Sequence, residues 1–274
     1  MRTAGGLSLT RFAALVLTLT QRDLKARFKG TLLGWLWSLI LPLATLGLYA
    51  IVFGLIFRAQ VEPFGNGHPA VYVVWLFVGL ITFSFFSSCL LRSAESLRAL
   101  AGVLNRVRVP ALAPIIAALI SVGLQSLVEF GIYLVVLAAF MNIGWTWLLL
   151  PLWGVLFFVF TAGIAAAVAI VAAHIQDFQH VLGVLLQFLF FATPVMYPLT
   201  MIPADLGNGV LDLRAVLGSS PLAQFVDMSR RLLYDLAPGT LHQWLGLMLS
   251  AVVAVMIGGV TVHRWGADVA ERVQ

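Results

Sequence analysis

The sequence predicts an all-α integral membrane protein with six spanning helices. Hydrophobic residues make up 61% of its 274 positions and charged residues only 10%, with a mean hydropathy of +1.02. A soluble domain carries about 25% charged residues, so soluble, disordered, collagen-like and disulfide-scaffold classes are excluded. The apolar residues also fall in long runs that lack the two-residue alternation of a membrane β-barrel. The single cysteine, Cys89, allows no disulfide within the chain.

The six expected spans run over Leu32–Phe57, Ala70–Leu91, Pro110–Phe140, Leu148–Ala173, Val181–Leu199 and Leu241–His263. Each is near or above the roughly 20 residues that cross the hydrocarbon core. The first is too long for a cleavable signal peptide, and no small-residue cleavage site follows it. No internal repeat or soluble domain stands out, so residues 1–274 read as one transmembrane domain. If the N-terminus is cytoplasmic, twelve of the sixteen Lys and Arg fall in inside flanks. Only Arg58, Arg214, Arg230 and Arg231 then lie outside, which predicts that both termini are cytoplasmic.

Three segments between spans read as more than connectors. On a helical wheel over residues 8–30, Arg11, Arg22, Lys25 and Lys29 fall within roughly 60° of one another, and Leu17, Leu24 and Phe28 form an apolar stripe on another side. A helix in the cytoplasmic interface, basic side toward anionic head groups, fits that pattern. An ordinary positive-inside flank has the same charges, but the basic register over five turns favours the interface helix. In Arg92–Val109, Ser93, Glu95, Ser96, Leu97 and Leu100 allow a short capped helix before Asn105, Arg106, Arg108 and Pro110. On residues alone this is either a docking element for a cytoplasmic partner or a solvated loop. The outside segment Thr200–Thr240 holds an apolar run, Ser220–Leu236, too short and polar to span, in which Ser220 precedes Pro221 as an N-cap precedes Pro at the first helical position. It either re-enters the membrane as a gate, which requires surrounding protein or water, or lies on the surface.

Chemistry is sparse. No GxxxxGK(S/T) loop occurs, so the chain cannot hydrolyse ATP in the usual way, and no HExxH zinc motif occurs. His68, His174, His180, His242 and His263 show no metal spacing, and no metal is expected. Glu129 alone is clearly an intramembrane carboxylate. It pairs with Gln125 one turn earlier or with a neighbouring helix as a structural hydrogen bond, or serves transport. The 8 Trp, 5 Tyr and 19 Phe mark head-group belts or fill lipid-facing surface. Tyr49, Phe53, Phe83, Phe86, Phe190, Phe191 and Tyr197, as a set, would also make a sugar-compatible passage through CH–π contacts.

The stretch RDLKARFKGTLLGWLWSLILPLATLGLYAIVFGLIF, Arg22–Phe57, closely resembles the opening of ABC-2 type permeases that export polysaccharides. The matching residues are Arg22, Asp23, Leu24, Lys25, Arg27, Phe28 and Lys29, then Leu33, Gly34, Leu36, Trp37, Pro42 and Leu43. Further resemblances follow in order over essentially the whole chain: Asn105–Pro114 entering the third span, Asp177 before the fifth, Thr193–Pro198 (TPVMYP), Ser220–Leu222 and Arg231. His174-Ile175-Gln176 stands where the family often has an arginine before the Asp, and Ser220 replaces Asn.

The resemblance implies the ABC-2 (type V) exporter fold and a permease subunit rather than an enzyme. Two copies form the passage as a homodimer, and two copies of a separate P-loop ATPase bind beneath, so ATP and Mg belong to that partner and no cofactor to this chain. No nucleic acid is expected. It also implies coupling to the ATPase through Ser96, Leu97, Leu100, Asn105 and Arg106 and through His174 and Asp177, and gate helices holding Pro221, Arg230 and Arg231. The substrate implied is a polyprenyl-diphosphate-linked glycan of the O-antigen, capsule, teichoic acid or galactan kind. It moves outward across the bacterial cytoplasmic (inner) membrane, its diphosphate met by Arg22, Lys25, Arg27 and Lys29. The alternative is an ABC-2 permease for a drug, lipid or other small molecule, which usually lacks the RDLKxR opening. A secondary carrier would need inverted repeats and more intramembrane charge.

Overall fold

The computed structural model describes residues 9–28, 36–99, 112–175, 177–202 and 213–266. Among these every regular element is helical: α1 (Leu9–Phe28), α2 (Trp37–Tyr49), α3 (Tyr72–Ala99), α4 (Leu112–Ala139), α5 (Leu150–His174), α6 (Phe178–Ala192), α7 (Leu213–Ser219), α8 (Pro221–Leu233) and α9 (Leu241–Trp265). Helix α2 continues as a π-helical turn over Ala50–Ile56, and a 3-10 turn, Trp145–Leu149, leads into α5. Among the described residues four segments are long and apolar enough to cross a membrane: Tyr72–Leu97, Leu112–Ala139, Trp145–His174 and Leu241–Trp265.

The expected fifth span is shorter, and the expected first is described only from residue 36 on. In the first, the described helix contains Pro42 and ends in the π-helical turn, a usual place for a helix to bend. In the fifth, α6 stops after 15 residues, about 22 Å at 1.5 Å per residue. Pro194 sets that end, because the residue before a proline is pushed out of the α region, and Thr193 is extended at φ −88° and ψ 131°. The second span is longer than expected. No separate capped helix starts at Ser93; α3 runs on to Ala99, with Ser93, Ala94 and Leu97 buried.

Helices α3, α4, α5, α8 and α9 share one core. Its aromatic centre stacks Trp153 on Phe157 (ring centroids 5.3 Å apart) and sets Phe160 5.0 Å from Phe225 of α8. Helices α5 and α9 touch backbone to backbone: a Cβ on Gly163 would strike the backbone of Ala254, and one on Gly258 would strike the carbonyl of Gly163. Small residues at such crossings are how helices associate where no water drives them together. Helix α9 starts in a capping box, Thr240 with Gln243.

Helix α1 packs on α4, burying Val16 and Thr20 with Phe12, Leu15 and Leu19 beside Ala113 and Ala117. Leu17, on the expected apolar stripe, is 59% exposed, while the Phe12–Val16–Leu19 side of the helix meets the small Ala113 and Ala117.

Candidate functional site

The richest polar geometry lies at one end of the bundle, around α8. Its start is built as the sequence predicts: Ser220 Oγ accepts from the Ala223 amide at 3.2 Å, with Pro221 next in the first turn. The side chain of Ser220 thereby satisfies one of the orphan amides of the helix start. Leu222, Phe225, Val226, Ser229, Leu232 and Leu233 form the buried face. The far end is held by side chains from the 142–146 turn. Asn142 Nδ2 donates to the carbonyls of Leu233 and Tyr234, both at 2.9 Å, and Thr146 Oγ1 donates to that of Leu232 at 2.7 Å. The Gly65 amide donates to the Tyr234 carbonyl at 3.0 Å, and a Cβ on Gly65 would strike the Asp235 carbonyl.

Arg230 is the centre of this end. It is 5% exposed. Nη1 donates to the Pro194 carbonyl at 2.7 Å and Nη2 to that of Val195 at 2.5 Å. Its guanidinium carbon lies 3.5 Å from the centroid of the Trp75 ring, a cation–π contact. Gly79 gives it room, since a Cβ there would meet the guanidinium. Tyr72 Oη donates to the next carbonyl, Met196, at 2.5 Å. The turn after α6 is therefore gripped through its backbone by α8 and α3. Burial pulls Arg230 down to about 10, opposed by Asp227, so the guanidinium stays charged at neutral pH.

Beside Arg230 opens a cavity of about 850 Å³, lined by Glu62, Asp227, Arg231, Asp235, His242 and Gln243 among others. Arg231 Nε donates to Asp227 Oδ2 at 2.7 Å. Burial pushes the Asp235 carboxyl up to about 6, with Asp227 and Glu62 adding to the rise and Arg231 opposing it. Among the described residues no group of three His, Cys, Asp or Glu could hold a metal ion.

Pro221, Arg230 and Arg231 thus come together in one helix. The aromatics divide. Tyr49, Phe83 and Phe191 each meet Phe190, at 5.7, 5.0 and 5.6 Å, and Phe53 meets Tyr49 at 6.4 Å. Tyr197 Oη donates to the Phe191 carbonyl at 2.7 Å. Phe86 is not part of this ladder: it is 4% exposed and stacks on Phe160, 5.9 Å away in the core. Glu129 is buried and accepts from Gln125 Nε2 at 3.1 Å.

At the opposite end, where α3 finishes, Ser96 Oγ donates to the Ser93 carbonyl at 2.8 Å and Leu97 is fully enclosed. Gln179 Nε2 donates to Glu95 Oε1 at 2.9 Å, joining the start of α6 to α3. His174 Nδ1 lies 2.8 Å from the Ile170 carbonyl, and Asp177 holds the N-cap position of α6. Arg22 and Lys25 are exposed on α1, and Arg27 falls in its last turn. Lys29, Leu100, Asn105 and Arg106 lie outside the described residues.

Sequence reasoning missed Tyr72, Trp75, Asn142, Thr146 and the Glu95–Gln179 pair. Most of these act on carbonyls remote in the chain, for which residue type gives no signal. Asn142, polar and beside the end of an apolar run, was the one that could have been singled out.

Residues 14–206 match the family model of the ABC-2 type transporter. An O-antigen export system permease protein RfbA of Myxococcus xanthus is 28% identical over 233 residues, 83% of each chain. A Klebsiella pneumoniae protein of the same name is 24% identical over 91% of each. The polysialic acid transport protein KpsM of Escherichia coli is 28% identical over 89% of this chain and 90% of its own.

Proposed function

The chain belongs to the ABC-2 type transporter family, and from that premise we propose that it is the membrane-spanning subunit of an ATP-driven polysaccharide exporter. The observation that carries the reading is its similarity, over most of both chains, to permeases named for O-antigen and polysialic acid transport. ATP and Mg belong to a separate ATPase, consistent with the absence of any phosphate-binding loop in the sequence.

In finer detail, residues 1–274 form one transmembrane domain of six spans in the inner membrane, α2 with its π-helical turn belonging to the first and the short α6 to the fifth. Both termini are cytoplasmic. Two copies enclose the passage, and two ATPase copies dock at the end where α3 finishes and α6 starts. The glycan arrives on a polyprenyl diphosphate. The exposed Arg22 and Lys25, with Arg27 and Lys29, meet that anion at the interface, Arg by bidentate contact and Lys as a point charge. The polymer then passes the aromatic side chains around Phe190. Helix α8, held by Arg230, closes the outer mouth within the 200–240 segment.

Depletion of the protein in its host tests this. A long polyprenyl-linked polymer accumulates in the cytoplasmic membrane, and the matching surface glycan is lost. An unchanged glycan pool would overturn the polysaccharide reading in favour of drug or lipid export. Replacing Lys25 and Arg27 with Gln slows export while the complex stays assembled; export at the wild-type rate would remove the head-group role.

A further inference from the structure

We propose that the cavity beside α8 is a binding site for a neutral, hydroxyl-rich saccharide segment of the exported chain. The proposal rests on the polysaccharide reading for the source of the ligand, and on the lining for its chemistry. At about 850 Å³ the space falls in the range of sites that bury a small molecule. Its walls carry three carboxylates, Glu62, Asp227 and Asp235, and two guanidinium groups, Arg230 and Arg231. Pro194, Pro198 and Met228 supply apolar floor.

The wall chemistry selects among ligands. A free phosphate or acidic sugar would face three carboxylates. An ammonium would face two guanidinium groups. An acyl chain would leave the carboxylates of Glu62 and Asp235 without hydrogen-bond partners, at a desolvation cost. A sugar hydroxyl donates to a carboxylate and accepts from a guanidinium, so a neutral polyol satisfies both sets, and its CH faces suit the prolines. Several wall groups are available for this. Among the described residues, no hydrogen bond engages the carboxylates of Glu62 or Asp235. Arg230, 5% exposed and lining the cavity, has a buried Nε with no hydrogen-bond partner there.

Site-directed photocrosslinking in the host tests the site with its own glycan. p-Benzoylphenylalanine replaces His242, exposed at the cavity wall. A second variant carries it at Gln60, in case the first assembles poorly. The control is Leu249 on the same helix, 65% exposed. ATP hydrolysis on the partner subunit is blocked to hold the chain in transit, and adducts are stained by periodate and hydrolysed for sugar composition. The expected result is a neutral-sugar adduct at positions 242 and 60 at least tenfold above that at 249. Acyl-chain adducts only, adducts of acidic sugars only, or no adduct at either position would overturn the proposal. When glycan still accumulates on depletion, such a result leaves the export reading standing. When no glycan accumulates, both readings fall.

Discussion

Helices α6 and α8 are of similar length, 15 and 13 residues, and are held in opposite ways. The apolar α6 buries only Leu182 and Leu186 within the chain, leaving Val181, Val184, Leu185, Phe188 and Phe191 more than half exposed. The more polar α8 buries nine residues, and side chains or amides from α3, the 65 turn and the 142–146 turn take up its polar groups. Hydrophobicity therefore does not mark the core of this molecule. In a nonpolar solvent an apolar face costs nothing to leave uncovered, whereas a polar group must be satisfied inside the protein. The helix with more polar residues is the one locked in place.

The largest effect expected from that difference is at Arg230. Arg230→Met leaves the carbonyls of Pro194 and Val195 without their donor and removes the cation from the Trp75 ring, at a cost of about 3 kcal/mol. Thermal unfolding of the purified permease in nanodiscs measures it; a loss below 1 kcal/mol would show that the grip on the turn after α6 is ornamental. Asn142→Ala strips the donor from two carbonyls at the end of α8 and costs about 2 kcal/mol in the same assay.

Next comes a pH dependence. Asp235 is raised to about 6 by burial, so between about pH 4 and 6 the folded state binds more protons than the unfolded one. Stability at this end accordingly falls as pH rises through that window and is flat above it. Allowing for solvent screening the change is about 1 kcal/mol, read as the difference between wild type and Asp235→Asn. Equal slopes for the two proteins would refute it. The smallest effect is on α6: Phe188→Ala, at a side chain 71% exposed, changes the stability of the isolated chain by no more than about 0.5 kcal/mol.

Much of this was legible beforehand where the physics is local. The Ser220–Pro221 start of α8 and the Gln125–Glu129 pair follow from spacing along one helix, and each is found as read. The grip of Arg230 was not legible, since its acceptors are backbone carbonyls 35 and 36 residues away; those of Asn142 are 91 and 92 away. Nor does composition separate Phe83 from Phe86, which lie on one helix yet join different aromatic groups. Nor does the wheel of α1 show that its Phe12–Val16–Leu19 side meets Ala113 and Ala117 of α4.

The enclosure of Cys89, the one thiol in 274 residues, has a practical consequence. With that thiol enclosed, out of reach of water-borne maleimides, one cysteine placed on each of α6 and α8 would carry the only spin labels or fluorophores in the chain. The native background then needs no editing before distances between those helices are followed through a transport cycle.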